Sequence, residues 1–239
     1  MKLSVVVPVY NERATIEEIL DRVRAVPVDK QIIIIDNCST DGTREILRRI
    51  DWHEVRLILQ DRNRMKGNSV KRGIGAAEGE FTIIQDADLE YDPRDYEPLL
   101  AAVQSDGVLA ALGSRVLGMA DRGEAMPVSS FSLGRDLLND YFNMLFEARL
   151  TDIATCYKLA PTRLFQSLGL RSDGFDLDFE LAGKLLLAAR ARGMTVADVP
   201  IRYYPRTTEE GKKIRWTDGL RSLVAITRYR FPDGSAGGL

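Results

Sequence analysis

Three acidic residues, Asp86, Asp88 and Glu90, alternate along one short segment of the chain. They follow an apolar run at 81–85 that is typical of a buried strand. If strand geometry continued, alternation would place all three side chains on one face. Carboxylates packed this closely repel one another unless a cation lies between them, and Mg²⁺ or Mn²⁺ is commonly held by carboxylates together with phosphate oxygens. The segment therefore predicts a divalent metal site that also receives a phosphate-bearing ligand, with a solvated acidic loop as the alternative.

Alternating strand and helix patterns surround these acids in the first half of the chain. Apolar runs predict strands at 3–7, 32–35, 55–59 and 81–85, and helical spacing predicts helices from residue 16, at 43–50 and at 67–78. Thr15 and Glu18 predict a capping box for the first helix. This order predicts a mostly parallel α/β sheet with helices on both faces. Ligands of such sheets bind beyond the carboxyl ends of the strands, where Asp36 also lies, so we expect the site at that edge.

The second half of the chain has a less regular pattern. A strand is predicted at 108–112, running into Gly113-Ser114-Arg115, followed by a mobile loop at 116–130. Further predictions are helices at 131–150, 161–168, 178–192 and 216–229, a strand at 195–204 and a flexible tail at 233–239. An apolar stripe of Leu133, Leu137, Tyr141 and Leu145 favours core packing of the first of these helices. We expect one domain over 1–232, with a donor half at about 1–115 and an acceptor half at about 116–232.

The composition excludes several classes of function. A net charge of −2 over 239 residues gives no general attraction to nucleic acid. Two cysteines cannot form a disulfide framework, which fits a reducing cytoplasmic compartment. His53 is the single histidine and lies in a polar stretch, so we expect a surface residue there. Because no apolar run reaches about 18 residues, any membrane contact is expected to be peripheral, at the cytoplasmic face.

Four ordered motifs in the first half resemble those of family-2 glycosyltransferases, which have a Rossmann-like GT-A fold. They are Val7-Pro8-Val9-Tyr10-Asn11-Glu12, Ile35-Asp36-Asn37-Cys38-Ser39-Thr40-Asp41-Gly42-Thr43, Gly67-Asn68-Ser69 and Asp86-Ala87-Asp88-Leu89-Glu90. Later segments resemble the dolichyl- and polyprenyl-phosphate sugar synthase branch of that family. They are Gly113-Ser114-Arg115, the run from Leu150 to Lys158, and the region from Val199 to Lys213. The resemblance spans nearly the whole chain.

The resemblance implies a site for a nucleotide-sugar of the GDP-mannose or UDP-glucose type, with Mg²⁺ or Mn²⁺ as cofactor. Asp88 and Glu90 would ligate the metal, which neutralises the departing diphosphate. Asn37 replaces the second acid of a pair that is usual in the family, so the nucleotide is left open. The residues implied to hold the donor are Pro8, Tyr10, Asn11, Glu12, Asp36, Asn37, Lys66, Asp86 and Ala87.

The acceptor implied by the resemblance is a polyprenyl phosphate held by cations. Guanidinium groups suit this role because they bind phosphate bidentately. The residues implied to bind the acceptor phosphate are Ser114, Arg115, Arg135, Asn139 and Arg206, with Asn139 where related enzymes have a serine. Catalytic roles are implied for Asp88, Arg115 and Asp152. Asp152 is equally well explained as a turn or cap residue, and Asp178, an implied acceptor-site acid, as an N-cap.

A phosphate acceptor explains why no clear general base is needed, because a phosphate monoester is already an anion at neutral pH. We therefore expect an inverting hexosyl transfer driven by positioning and charge stabilisation. The alternative is a family-2 enzyme with a soluble or glycan alcohol acceptor, which needs a base such as Asp152 or Asp178. A nucleotidyltransferase is disfavoured because Pro8-Val9-Tyr10-Asn11 is not a glycine-rich phosphate loop, and an inactive nucleotide-sugar-binding subunit because the acids are intact.

Basic and apolar residues interleave near the C-terminus. The cations are Lys212, Lys213, Arg215, Arg221, Arg228 and Arg230, against the single acid Asp218. This pattern fits contact with an anionic membrane surface. It fits equally well a helix packed on the domain with a basic outer face, so both interpretations stay open.

Overall fold

All strands that the structure describes belong to one mixed sheet. The structure is a computed structural model, and it describes residues 2–124, 130–206 and 216–230. Its strands are β1 (Leu3–Val9), β2 (Lys30–Asp36), β3 (Val55–Leu59), β4 (Phe81–Ile84), β5 (Val108–Ser114), β6 (Lys158–Pro161) and β7 (Thr195–Pro200). They are ordered β3-β2-β1-β4-β6-β5-β7. Neighbours pair in parallel except at β6, which is antiparallel to β4 and β5. The predicted fold class, a mostly parallel α/β sheet, is confirmed.

The helices of the described residues connect these strands. They are α1 (Ile16–Ala25), α2 (Thr43–Leu47), α3 (Met65–Gly75), α4 (Tyr96–Val103), α5 (Arg115–Asp121), α6 (Ser130–Phe146), α7 (Thr162–Ser167), α8 (Leu177–Arg190) and α9 (Trp216–Arg230). A short 3₁₀ turn, Pro93–Asp95, precedes α4. Helix α1 shows why they form: its buried side chains recur every three to four residues, and its first and last turns carry acids and bases that complement the helix dipole.

The core is built around β1 and β2, which are buried on both faces. Their runs of valine and isoleucine have almost no exposed surface, as expected for parallel strands covered by helices on each side. Helix α3 packs very closely on this sheet. A Cβ atom added at Gly73 would lie 2.3 Å from Val6 Cγ1, so only glycine fits there. This close approach explains why α3 carries a glycine at this position.

Local predictions around α1 and α3 differ from the structure in detail. Thr15 is the N-cap of α1, but its side chain makes no capping hydrogen bond and instead donates to Ala87 O at 2.7 Å. Glu18 pairs with Arg22. The predicted capping box is therefore wrong, because the threonine hydroxyl is used to tie α1 to the acidic segment. Helix α3 begins two residues earlier than predicted, which places Lys66 in its first turn.

The segment predicted as a mobile loop at 116–130 is helical at its start. Ser114 caps α5 by accepting a hydrogen bond from Leu117 N at 3.0 Å. Gly118 allows this helix to cross the chain that follows β7, since an added Cβ would lie 1.8 Å from Ile201 O. The loop prediction is wrong for 116–121, and residues 125–129 lie outside the described residues.

The apolar stripe on α6 is not a core-facing stripe along its whole length. Leu133 and Leu137 are 62% and 66% exposed, whereas Asn139, Phe142 and Phe146 form the buried face. The two phenylalanine rings stack with centroids 4.3 Å apart. The preference for core packing is therefore wrong for the first two turns of the stripe.

Besides α5, the elements α4 and β6 had no predicted counterpart, and the last strand is shorter than predicted. Strand β7 ends at Pro200, and residues 201–206 continue as an extended segment towards the acids that follow β4. His53 lies on the surface, as expected. Among the described helices, none combines the length and apolar character that crossing a bilayer would require. The predicted tail at 233–239 lies outside the described residues.

Candidate active site

Loops at the carboxyl ends of β1 to β4 meet at one edge of the sheet. Each of these loops contains a non-glycine residue in the left-handed region, with φ values of 53° at Asn11, 64° at Cys38, 70° at Met65 and 63° at Leu89. Such conformations cost free energy and persist where the surroundings enforce them, often at functional sites. The sequence motifs therefore coincide with a region of unusual backbone geometry.

The acidic segment after β4 does not continue as a strand. The strand ends at Ile84, and Leu89 turns the chain so that Asp88 Oδ1 accepts a hydrogen bond from Glu90 N at 3.2 Å. Asp86 pairs with Lys66 Nζ at 2.9 Å. The condition for a shared face, that strand geometry continues through the three acids, is therefore not met, and the turn sends each carboxylate to a different partner.

The carboxylate of Glu90 is held by the extended segment that follows β7. Glu90 Oε1 accepts from Arg206 N at 2.9 Å, and Glu90 Oε2 accepts from Tyr203 OH at 3.1 Å. The Arg206 guanidinium donates to Asp88 O at 2.7 Å and to Glu12 Oε2 at 3.0 Å. Arg206 thus joins the first motif of the chain to the acidic segment, and it lies beside the predicted metal ligands.

The ionised carboxylate of Asp88 is disfavoured by its surroundings, and a bound cation would offset this. Burial, together with the charges of Asp86 and Glu90, raises the pKa of Asp88 to about 7, although Arg206 opposes the shift. Among the described residues, no three acidic, histidine or cysteine side chains converge as a ready metal cage. Asp88 therefore fits a site in which the ligand itself supplies most of the metal's oxygen atoms.

The residues predicted to hold the nucleotide form a hydrogen-bonded edge around the ends of β1 and β2. Asp36 is completely buried, where Oδ1 accepts from Ser39 N at 3.2 Å and Oδ2 from Arg44 Nε at 2.5 Å. Asn37 binds the loop before α3, donating to Asn63 Oδ1 at 2.9 Å. Both side chains thus hold the loops of the site in place through hydrogen bonds, a role that their sequence motif alone does not reveal.

The first motif faces the same edge. Pro8 and Tyr10 are half-buried at the end of β1, and Ala87 is buried below Thr15. Asn11 Oδ1 accepts from Thr40 N at 2.8 Å. The donor residues implied by the resemblance are therefore brought together at one end of the sheet.

An open cavity of about 1300 Å³ lies on the α1 side of this edge. Its walls include Glu12, Arg13, Asp88, Arg94 and Arg206. It reaches the acidic segment, but Asp36, Lys66 and Asp86 are not among its lining residues. The cavity therefore borders the candidate site without enclosing the whole of it.

The acceptor side is dominated by a buried ion pair. Arg115 Nε and Nη2 donate to the two oxygens of Asp152 at 2.6 and 2.7 Å, and Arg115 N donates to Asp152 Oδ2 at 3.1 Å. The guanidinium also lies 5.1 Å from the centre of the Tyr203 ring. Asp152 has no exposed surface, so the structure favours its role as the partner of Arg115 over direct contact with a sugar.

Other predicted acceptor residues have structural partners as well. Ser114 Oγ lies 2.6 Å from Thr151 Oγ1. Asn139 donates to Leu150 O at 2.8 Å and accepts from Ile153 N at 3.1 Å, so its amide holds the loop that carries Asp152. This contact explains why asparagine suits the position.

Two further residues, Lys158 and Asp178, form ion pairs at the edge of the site. Lys158 is completely buried, and its Nζ lies 3.4 Å from Asp178 Oδ1, while Lys66 Nζ lies 3.7 Å from Asp178 Oδ2. Asp178 lies inside α8, whose N-cap is Asp176, so its interpretation as an N-cap is wrong. Lys158 had no predicted role, although a lysine in a largely apolar run is a signal.

Comparison with known proteins assigns the chain to a class. The sequence profile described as glycosyl transferase family 2 matches residues 4–167, and the chain belongs to this family. It is 27% identical to the low-salt glycan biosynthesis hexosyltransferase Agl6 of Haloferax volcanii, over 92% of this chain and 52% of that protein. It is 31% identical to a dolichol-phosphate mannosyltransferase of Pyrococcus furiosus, over 48% of this chain and 33% of that protein. The chain thus spans only about a third to a half of these relatives.

Solved structures share the fold. Mannosyl-3-phosphoglycerate synthase from Rubrobacter xylanophilus superposes with a TM-score of 0.72 at 20% identity, covering 100% of this chain and 77% of the other. Glucosyl-3-phosphoglycerate synthase from Mycobacterium tuberculosis, solved with Mn²⁺, UDP and phosphoglyceric acid, gives 0.70 at 19% identity, covering 100% of this chain and 81% of the other. The GT-A expectation is confirmed, and at this identity the likeness concerns the fold alone.

Proposed function

We propose that this chain is an inverting glycosyltransferase that moves a hexose from a nucleotide-diphosphate sugar to a polyprenyl phosphate. The supporting observation is that both acids expected as general bases are ion-paired. Asp152 is bound by Arg115, and Asp178 lies between Lys66 and Lys158. A carboxylate paired in this way is a poor proton acceptor, so an acceptor that arrives as an anion suits the site better than an alcohol.

Two groups on the donor side suit a nucleotide diphosphate. Asp88 would hold a divalent cation together with diphosphate oxygens, because burial and the charges of its neighbours disfavour its bare carboxylate. The bound ion would neutralise the negative charge of the departing diphosphate. Lys66, which lies at the start of α3, adds a second positive charge beside Asp86. The pairing of Mn²⁺ with UDP in the solved M. tuberculosis enzyme agrees with this arrangement.

Three arginines suit an acceptor phosphate, and one of them, Arg206, lies beside the acidic segment of the donor side. The side chains of Arg115, Arg135 and Arg206 keep 12%, 13% and 16% of their surface exposed, so each is held in place while remaining within reach of a ligand. Guanidinium groups fixed in this manner bind phosphate with little loss of side-chain entropy. An attacking phosphate oxygen on the face opposite the leaving diphosphate would invert the anomeric centre and give a β-linked product from an α-linked donor.

A membrane-facing surface is part of this proposal. Helix α6 exposes Leu133, Leu137 and Met144 on one side. Helix α9, joined to α6 by a hydrogen bond between Tyr141 OH and Thr227 Oγ1 at 2.7 Å, exposes Val224. The basic segment predicted to contact lipid is described only in part: 212–215 lie outside the described residues. The apolar surface supports peripheral binding where a lipid acceptor resides.

A transfer assay tests the proposal. The full chain is incubated with Mn²⁺ and labelled UDP-glucose or GDP-mannose, and with polyprenyl phosphate, the matching polyprenol or 3-phosphoglycerate. We expect label to enter polyprenyl phosphate only. Asp88→Asn should lower the rate by about 100-fold or more, the scale seen when a charge-stabilising group is removed. Asp21→Asn, which changes an exposed acid on α1, is the matched control and should keep the wild-type rate.

Each other outcome contradicts part of the proposal. Transfer to polyprenol as well would show that the acceptor phosphate is not required. Transfer to 3-phosphoglycerate alone would replace the lipid with a small phosphorylated acceptor, the substrate named for the solved neighbours. Equal rates for Asp88→Asn and Asp21→Asn would remove Asp88 from the site.

A further inference from the structure

Four charged side chains form a chain from the interior of the protein to the acidic segment. Lys158 Nζ lies 3.4 Å from Asp178 Oδ1, Asp178 Oδ2 lies 3.7 Å from Lys66 Nζ, and Lys66 Nζ lies 2.9 Å from Asp86. Positive and negative groups alternate along it. Asp178 lies between two lysines, Lys158 and Lys66, and Lys66 lies between two carboxylates, those of Asp178 and Asp86.

The inner end of this chain has no contact with solvent. Lys158 is completely buried at the start of β6, where it also donates a hydrogen bond to Thr155 O. Burial lowers the pKa of Lys158, and Asp178 opposes that shift. A buried ammonium group is costly unless a carboxylate balances it, so Lys158 and Asp178 are tied to each other more firmly than Asp178 is tied to Lys66.

We propose that Lys158 is a positioning residue for the donor site. By forming an ion pair with Asp178, it allows Lys66 to remain paired with Asp86. The inference rests on the proposed use of Lys66 and the acidic segment to bind a nucleotide diphosphate with a divalent cation. Without Lys158, Asp178 has Lys66 as its nearest remaining cation. Lys66 then moves from Asp86 to Asp178, through a gap that is already only 3.7 Å.

This displacement has opposite effects on two ligands. Asp86 loses its positive neighbour, so the field at Asp88 becomes more negative and a bare divalent cation binds more tightly. A nucleotide diphosphate loses the ammonium group that would meet its phosphate oxygens, so it binds more weakly. Simple loss of folding would weaken both ligands together, and the opposite signs therefore distinguish positioning from a structural defect.

Binding measurements on the full chain test this inference. Binding of Mn²⁺ alone is measured by electron paramagnetic resonance, and binding of UDP and GDP at saturating Mn²⁺ by calorimetry. For Lys158→Met we expect Mn²⁺ to bind about fivefold more tightly and the nucleotide about fivefold more weakly, a modest coupling between sites. Adding Asp178→Asn removes the charge that attracts Lys66, so the double variant should return both affinities towards wild type.

Lys184→Met is the matched control. Lys184 also forms an ion pair with a carboxylate on the helix that carries Asp178, that of the buried Glu180 at 2.6 Å, but this pair has no link to Asp86. We expect its Mn²⁺ and nucleotide affinities to equal those of the wild type. Uniform weakening of both ligands in Lys158→Met, or no rescue by Asp178→Asn, overturns the inference.

A crystal structure of Lys158→Met decides the point without any ligand. The inference is supported if Lys66 Nζ contacts Asp178 and no longer contacts Asp86. It is overturned if Lys66 Nζ still contacts Asp86. If the wild-type chain binds neither UDP nor GDP, the proposed function fails, and this crystal structure still tests the positioning role of Lys158.

Discussion

Two ion pairs on opposite sides of the candidate site are built differently. On the acceptor side, Asp152 is completely buried and accepts three hydrogen bonds from Arg115. On the donor side, Lys66 and Asp86 each keep 19% of their side-chain surface exposed, and Lys66 is shared with a second carboxylate. The first pair holds one geometry, whereas the second has an alternative partner within reach. The site thus combines a fixed acceptor wall with a donor wall whose charges can exchange partners.

The pKa values of the acids follow the same division. Burial alone would raise the pKa of Asp152, but the charge and hydrogen bonds of Arg115 outweigh it and hold that pKa below its ordinary value. Asp88 is half-buried, and the charges of Asp86 and Glu90 add to the effect of burial and outweigh that of Arg206, so its pKa rises to about 7. One carboxylate is satisfied by the protein, and the other is left for a ligand to satisfy.

The largest expected effect comes from breaking the fixed pair. Asp152→Asn leaves the Arg115 guanidinium buried without its counter-charge, which should lower the free energy of unfolding by about 3 kcal/mol. Urea denaturation followed by circular dichroism measures this change. The control is Lys71→Met, which removes a 2.8 Å pair with the exposed Asp173 and should cost less than about 1 kcal/mol. Equal losses in the two variants would contradict the distinction between a fixed and an exposed pair.

A smaller effect, with a pH dependence, is expected on the donor side. Because the folded-state pKa of Asp88 is raised from 3.8 to about 7, the folded protein binds the Asp88 proton more tightly than the unfolded chain does. Stability from this group is therefore present at low pH and is lost as the pH rises towards 7. In buffer without metal, Asp88→Asn should gain about 2 kcal/mol relative to wild type between pH 5 and pH 8. Urea denaturation at both values checks the sign, and a pH-independent difference would contradict the raised pKa.

The same two regions show what the sequence could and could not predict. Strands β1 to β4 follow one another with short connections, and their apolar runs and terminal acids lie within single motifs. Local pattern therefore predicted both the sheet and the placement of Asp36, Asp86 and Asp88 at or just beyond the carboxyl ends of its strands. The turn at Leu89 was not predictable, because a positive φ at leucine is imposed by contacts that Glu90 makes with residues more than 110 positions away.

The acceptor half depends on contacts that are distant in sequence. Strand β6 lies between β4 and β5 and is antiparallel to both, so an alternation of strands and helices along the chain does not predict it. Arg115 and Asp152 are 37 positions apart, and each alone has the pattern of an ordinary polar residue. Asn139 looked like a replacement for a phosphate ligand, but its partners are backbone groups of the loop at 150–153. Pairings of this kind require the fold before they can be assigned.

The smallest effect on stability is expected where the acceptor half exposes apolar surface. Leu133 and Leu137 contribute little to the core because they are mostly exposed, so the double change to serine should alter the free energy of unfolding by no more than about 0.5 kcal/mol. Sedimentation with anionic phospholipid vesicles should nevertheless fall, since burial of both leucines in the lipid interface is lost. The large apolar residues that the described donor half exposes, Leu59 and Met65, are less exposed, at 37% and 46%, so the comparison predicts that lipid binding belongs mainly to the acceptor half.

Exposed polar residues on the acceptor half provide the control: Asp136→Ser and Asp140→Ser on α6 should leave sedimentation unchanged or increase it, because they remove negative charge facing an anionic surface. A double leucine variant that sediments as well as the wild type would show that α6 is not the lipid-facing helix, and the fixed acceptor wall would then have to meet its substrate away from a membrane.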